Sequence, residues 1–356
     1  MQTKLVYVLT CAPEATYIEQ ALMAVYSARY WNQSAHIVLI VDDKTNEQLV
    51  GKRGEILDYI SEKIVVSFDA DKNMHYRSRW LKTKVRELVN GDLLFIDSDT
   101  IIQKALDEID SCEYDIAMVP DEHSPIAEYP ESLMLSLKES TSKLGYDILK
   151  EDLYFNSGVI YSKDTDVSHE LWNKWHECWL EGVSKGVNID QAALGKANML
   201  CNHPIKKLDD IWNTLVYMNP IFIREGFILH FWNFRNKSLY YTKSYLEYVK
   251  NNGINDYVKS CLLTPIDSML PFDNVLSQSK LIDYNIFYKK ISLQSLLYQE
   301  NIDNKLGDFP WLKYFSRHEQ KFLNLSPKFT ALMFLFRKYV KFRILQRKNQ
   351  NRIFYT

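Results

Sequence analysis

Asp97 and Asp99 are the residues of this chain whose type and spacing point most directly to chemistry. They stand one residue apart in "LLFIDSDTII" (93–102), where an apolar run enters Asp97-Ser98-Asp99 and an apolar pair resumes at once. Two carboxylates this close repel, and one takes up a proton unless a positive charge lies between them. Oxygen ligands so arranged suit Mg²⁺ or Mn²⁺, cations that keep open positions for the phosphates of a substrate. The other use of such a pair, a helix N-cap beside a solvated Asp, is disfavoured by the apolar run in front of it and by its place after three β–α units.

The elements that must position this pair lie upstream. The stretches "KLVYVLT" (4–10), "HIVLIVD" (36–42), "KIVVSF" (63–68) and "DLLFID" (92–97) are continuous in apolarity, as strands buried on both faces are. Between them, "TYIEQALMAVYSARYW", "TNEQLVGKRGEILDYISE" and "YRSRWLKTKVRELVN" carry apolar residues at helical spacing. Strand, helix, strand three times over predicts an α/β fold with a mostly parallel sheet flanked by crossover helices. The Asp pair then falls at the carboxyl end of the fourth strand, the edge at which open α/β sheets bind ligands. Arg79 and Lys82, three apart on one helix face, can both reach that edge.

Further strands are expected at "YDIAMVP" (114–120) and "YFNSGVIYS" (154–162). The insertion between them, "DEHSPIAEYPESLMLSLKESTSKLGYDI", has the Pro and Ser content of a lid or loop over a site. A helix from about Val167 to Glu181 places Trp172, Trp175 and Trp179 at helical spacing, a core-packing pattern. Beyond about residue 245 the sequence reads as helical.

Composition narrows the class. The 356 residues suffice for one large domain with an appendage, and 46% hydrophobic with 25% charged residues excludes a disordered or fibrous chain. Five scattered cysteines without a C-x-x-C argue against a zinc knuckle or disulfide framework and point to a reducing compartment. The chain opens on a strand pattern rather than a signal peptide, and no apolar run approaches the ~20 residues of a bilayer span, so a cytoplasmic location is expected.

Net charge is −2, yet the segment from Lys328 to Thr356 holds eight basic residues and no acid; removing that +8 leaves a body of −10. Phe329, Leu332, Met333, Phe336 and Val340 fall on one face of this segment. A basic amphipathic tail of this kind suits the anionic inner surface of a membrane. The acidic body disfavours nucleic acid as a partner.

Two enzyme classes write a string like "FIDSDTI". In haloacid-dehalogenase-like phosphatases the first Asp, here Asp97, is a nucleophile. Their motif closes the first strand of the domain, whereas three β–α units precede it here, and the Gly expected after the second Asp is missing. The wider order of motifs resembles the nucleotide-sugar glycosyltransferases of GT-A fold, specifically retaining family 8, the glycogenin and lipopolysaccharide galactosyltransferase type. The resemblance covers roughly residues 4 to 240. A basic helix "YRSRWLKTKVREL" precedes the D-x-D strand; "YFNSGVIYS", "NIDQAALGKA", "LDDIWNTL" and "ILHFWNFRNKS" follow in the family's order. The family's closing H-x-x-G-x-x-K-P-W is only partly kept, with His230 and Lys237 present and the Gly and Pro-Trp absent.

What the resemblance implies is a set of roles. Asp97, Asp99 and His230 would hold Mn²⁺, or Mg²⁺. Thr10, Ala12, Asp42, Asp43, Arg79, Lys82, Ser98 and Lys237 would meet the nucleotide diphosphate of a UDP-sugar donor. Asn156, Asp190 and Gln191 would line the sugar pocket, and the sugar would pass with retention to a saccharide or lipid-linked saccharide. The expected organisation is a GT-A catalytic domain over 1–245, a helical region over 246–326 and the basic tail over 327–356. A non-catalytic sugar-nucleotide-binding domain is the remaining alternative.

Overall fold

The four apolar runs of the first half become neighbouring parallel strands, as their pattern demands. The computed structural model describes residues 1–129, 131–216, 226–231 and 243–263. The chain divides into two units, Met1–Pro271 and Phe272–Thr356; the second lies outside the described residues, as does the basic tail.

In chain order the first half comprises β1 (Lys4–Leu9), α1 (Tyr17–Trp31), β2 (Ile37–Asp42), α2 (Asp43–Asn46), β3 (Glu62–Val66), α3 (Met74–Thr83), α4 (Val85–Leu88), β4 (Leu93–Ile96) and β5 (Thr100–Ile102). Then follow β6 (Ile116–Pro120), α5 (Glu131–Lys143), β7 (Phe155–Ser162), α6 (Asp166–Ser184), α7 (Asp190–Leu200), β8 (Ile205–Lys207), β9 (Thr214–Leu215), β10 (Ile228–His230), α8 (Lys243–Asn252) and α9 (Asp256–Leu263). The principal sheet has the order β3-β2-β1-β4-β7-β6-β8. β1, β2, β3 and β4 are mutually parallel, and β7 alone runs antiparallel to its neighbours. The fold is α/β, a mostly parallel sheet flanked by helices.

Every residue of β2 and of β4 is buried, which is what continuous apolarity predicts. β3 differs: it is the edge strand, and Glu62, Lys63 and Val65 face solvent. Charges on an edge strand discourage pairing with another chain. The helix expected across "TNEQLVGKRGEILDYISE" breaks into α2 and a 3₁₀ turn at Arg53–Asp58. Gly51 causes the break, because its φ of +55° lies in the left-handed region that ends helices. The basic helix likewise divides at Lys84 into α3 and α4.

The tryptophan helix forms as α6, and Trp172, Trp175 and Trp179 are all buried in the main core. Burying each such ring stabilises the fold by about 2–3 kcal/mol. The insertion after β6 is more than a loop. Ile126, Tyr129, Tyr146 and Ile148 are buried in that same core, and α5 packs on α7. Leu133, Met134 and Leu137 of α5, partly buried and at helical spacing, pack against that core.

A small second sheet, β5-β10-β9, sits beyond the end of β4. β10 pairs antiparallel with β5, placing His230 opposite Thr100, and parallel with β9, placing His230 beside Leu215. This sheet ties two distant segments, β9 and β10, to the D-x-D turn.

Candidate metal and nucleotide-sugar site

β4 ends at Ile96, so Asp97 is the first residue past its carboxyl end. Its N–H continues the ladder by donating to Gly158 O at 2.7 Å, and Thr100 Oγ1 closes the turn by donating to Asp97 O at 2.8 Å. Asp99 O accepts from Phe231 N at 2.9 Å. That pairing brings the buried His230 beside Asp99, with Nε2 3.2 Å from Asp99 Oδ1. One ligand atom from each of Asp97, Asp99 and His230 lies within 4.8 Å of the others.

Charge balance in this cluster is delicate. At about 4–5 Å and an effective dielectric of 20, two carboxylates repel by roughly 3–4 kcal/mol. The protein answers with one cation each. Lys82 Nζ stands 3.1 Å from both oxygens of Asp97, and His230 faces Asp99. Burial pushes the Asp97 pKa up, and the Asp99 charge adds to that, beyond what Lys82 restores. Burial also works against the charge on Asp99, but the His230 imidazole outweighs it and holds Asp99 below its ordinary value. For His230 burial opposes protonation, and the Asp99 carboxylate overcomes it.

The donor set fits a divalent cation. Two carboxylates from one turn and an imidazole from β10 converge, and the buried His230 Nε2 has no aligned hydrogen-bond partner despite its proximity to Asp99. A buried polar atom without a partner is costly, and a cation would satisfy it while relieving the Asp97–Asp99 repulsion.

The three residues assigned by resemblance to the sugar pocket come together beside this cluster. Asn156 and Ser157 open β7, which begins at this edge because it runs against its neighbours. Asp190 is the first residue of α7, where the helix dipole favours an acid. Its Oδ1 meets Arg79 Nε at 2.8 Å, and its Oδ2 meets Lys82 Nζ at 3.3 Å and Ser157 Oγ at 3.1 Å. Burial resists its charge, but Lys82 and Arg79 prevail and keep it far below the carboxylate range. Lys82 thus bridges Asp97 and Asp190.

Asp121 is a site residue that sequence reasoning missed. Asn156 Nδ2 donates to its Oδ1 at 2.9 Å, and Gln191 Nε2 donates to its Oδ2 at 3.0 Å. Burial raises its pKa, partly offset by those two bonds. The signal that found Asp97 applies here too, since β6 is parallel to β4 and Asp121 follows its carboxyl end. The next two residues, Glu122 and His123, have φ of 56° and 53°, a left-handed pair that non-glycine residues adopt at a cost. Ser157 and Asn213 were also missed as individual residues, although the motifs containing them were noticed.

Of the residues assigned by resemblance to the nucleotide, Thr10 and Ala12 follow the carboxyl end of β1, the strand next to β4. Thr10 Oγ1 donates to Met74 O at 3.5 Å. Asp42 is fully buried; its Oδ1 accepts from Thr45 N at 2.9 Å, and its Oδ2 is held by Arg77. Asp43 is the more open of the pair, and its Oδ1 has no hydrogen-bond partner. Ser98 is half-buried between the two aspartates. Lys237 lies outside the described residues.

No protein-family model matches the sequence, and no curated protein matches it. Among solved structures, mouse xyloside xylosyltransferase 1 in its apo form aligns with a TM-score of 0.43 and 13% identity, over 65% of this chain and 97% of that one. The glycosyltransferase GlyE of Streptococcus pneumoniae TIGR4 aligns with a TM-score of 0.42 and 16% identity, over 76% of this chain and 66% of that one. Galactosyltransferase LgtC, in complex with donor and acceptor sugar analogs, aligns with a TM-score of 0.45 and 12% identity, over 72% of this chain and 99% of that one.

Proposed function

We propose that this chain is a metal-dependent glycosyltransferase. It takes a sugar from a nucleoside diphosphate donor, a UDP-sugar, and passes it with retention to a hydroxyl of a saccharide or lipid-linked saccharide. The observation that carries this reading is the convergence of Asp97, Asp99 and His230 within 4.8 Å at the carboxyl edge of the sheet. Parallel α/β sheets place ligands at that edge.

Asp97, Asp99 and His230 would hold Mn²⁺ or Mg²⁺. A cation there supplies positive charge to a diphosphate leaving group. The protein's own residues do the rest. Arg79, a third exposed at the rim, adds fixed positive charge for the departing phosphate, and Lys237 is assigned to the same task. Thr10, Ala12, Ser98 and Asp43 receive the base, ribose and phosphates, while Asp42 and Arg77 brace the loop beneath. Asn156, Asp121, Asp190 and Gln191 present a continuous polar wall to the sugar hydroxyls.

Retention needs no enzyme nucleophile in this arrangement. Asp190 is occupied by Arg79, Lys82 and Ser157, and a carboxylate stabilised by two cations is a poor nucleophile. The acceptor hydroxyl attacks the anomeric carbon from the side of the leaving phosphate. The bond from that carbon to the phosphate oxygen breaks as the new glycosidic bond forms, and the hydroxyl proton passes to the departing phosphate.

No helix among the described residues is long and apolar enough to cross a membrane. The basic segment from Lys328 onward is assigned to an anionic membrane surface, which suits a lipid-linked acceptor, cytoplasmic placement and polysaccharide biosynthesis. The test is turnover. With Mn²⁺ and a panel of nucleoside diphosphate sugars, release of UDP is expected from a UDP-sugar, falling by about a hundredfold or more in Asp99→Ala. Hydrolysis of simple phosphate esters with no UDP release would overturn the reading in favour of a phosphatase.

A further inference from the structure

His230 is 2% exposed and Asn213 fully buried, so neither can turn to bulk water for a partner. Their neighbours therefore decide what each ring and amide atom does. The backbone N–H of Gly158 meets Asn156 Oδ1 at 2.9 Å, and a backbone N–H can only donate. This fixes the oxygen end of Asn156 and leaves its amino group for Asp121 Oδ1. Asn156 Oδ1 also accepts from Asn213 Nδ2 at 2.9 Å. With its amino group so used, Asn213 turns Oδ1 to His230 Nδ1, at 2.9 Å. An amide oxygen only accepts, so Nδ1 must carry the hydrogen. In the neutral ring Nε2 then bears a lone pair on the side of Asp97 and Asp99.

We infer that Asn213 is a positioning residue that holds His230 as the Nδ1–H tautomer, offering Nε2 to a divalent cation between Asp97 and Asp99. The polarity originates at one backbone group, Gly158 N–H, and passes through two buried amides to the imidazole. The same Asn156 amide also runs outward to Asp121, whose other oxygen accepts from Gln191 at 3.0 Å. One set of donors and acceptors thereby orients both the cation ligand and the residues assigned to the sugar. Outer-sphere partners that fix a histidine tautomer commonly change metal affinity by about 10–100-fold when removed. The inference rests on the cation reading above for its metal readout only, because the tautomer is observable without metal.

Two measurements test it, on the full chain and on the variants Asn213→Leu and Asn213→Asp. The first is heteronuclear NMR of isotope-labelled histidine rings in metal-free protein at alkaline pH, where His230 is neutral. The second is titration with Mn²⁺ alone, followed by electron paramagnetic resonance. Wild-type His230 is expected as Nδ1–H. Asn213→Leu, which deletes the acceptor, should shift the ring toward Nε2–H and weaken Mn²⁺ binding about tenfold or more. Asn213→Asp keeps the acceptor for Nδ1 and should retain the Nδ1–H tautomer, although the donor to Asn156 Oδ1 is lost with the amino group.

A wild-type ring in the Nε2–H form overturns the inference. So does Asn213→Leu with unchanged tautomer and affinity, or Asn213→Asp with an Nε2–H ring. If Asn213→Leu fails to fold, the wild-type tautomer and Asn213→Asp still decide. A wild-type Nδ1–H ring in a protein that binds no Mn²⁺ would uphold the inference and defeat the cation reading, so the two failures are distinguishable.

Discussion

His230 and Thr100 face each other across the short antiparallel pairing of β5 and β10, and this one register sets the imidazole beside Asp99. Phe231 N donates to Asp99 O on the same pairing. A slip of one residue would carry His230 to the opposite face of the strand. Two carboxylates from one turn and an imidazole more than a hundred residues away in sequence are thus brought together by a three-residue strand.

Gly158 of β7 lies close against the His230 ring. A Cβ there would lie 2.3 Å from His230 Cε1 and 2.8 Å from Nδ1. Both distances are well inside van der Waals contact, so Gly158→Ala must displace the ring. We expect a stability loss of about 1–3 kcal/mol from the overpacking and a fall in Mn²⁺ affinity of about tenfold or more. Thermal unfolding together with Mn²⁺ titration checks both. Wild-type affinity in the alanine variant would show that the ring's position is not critical.

Lys82 is 5% exposed and serves two carboxylates, Asp97 and Asp190. Removing one partner of a buried ion cluster leaves the others uncompensated, and Lys82→Met is expected to cost about 3 kcal/mol. The pH dependence carries the signature. Lys82 and Arg79 together keep the Asp190 pKa depressed against its burial, so their stabilisation is present above the ordinary carboxylate range and is lost as pH falls through the depressed value. In Lys82→Met, Asp190 should protonate at higher pH, and the acid limb of the melting curve should change accordingly. An unaltered acid limb would mean that Lys82 does not govern Asp190.

Much of this arrangement was legible in the sequence. The apolar runs ending in Asp42 and Asp97 pointed to a mostly parallel sheet, and the D-x-D at its carboxyl edge pointed to two of the three residues that converge there. What escaped notice depends on tertiary partners. Asp121 follows a strand end just as Asp97 does, but the Pro- and Ser-containing stretch after it read as a loop. Asn213 acts on His230 and Asn156, far from it along the chain, and no local pattern records such a bond. The break at Gly51 was missed because apolar spacing alone cannot reveal a left-handed backbone.

Glu122 offers a test from the opposite sign of shift. Burial raises its carboxyl from 4.5 to about 8, with the neighbouring Asp121 charge adding to the effect. The folded protein therefore holds this proton more tightly than the unfolded chain does. Between 4.5 and about 8 stability should fall as pH rises. Glu122→Gln, which never ionises, should be more stable than wild type near the upper end of that interval by on the order of 2 kcal/mol, with no advantage in acid. Melting temperatures measured across the interval decide it, and parallel curves for the two proteins would count against a raised Glu122 carboxyl.

The most direct test of the central claim is calorimetric titration of UDP into the purified protein, with Mn²⁺ and then with EDTA, for wild type and Asp99→Ala. Binding that requires both the metal and Asp99 is the expected result, and it would establish that Asp97, Asp99 and His230 clamp a cation to a diphosphate. UDP binding that survives EDTA and the loss of Asp99, or no UDP binding under any condition, would contradict it.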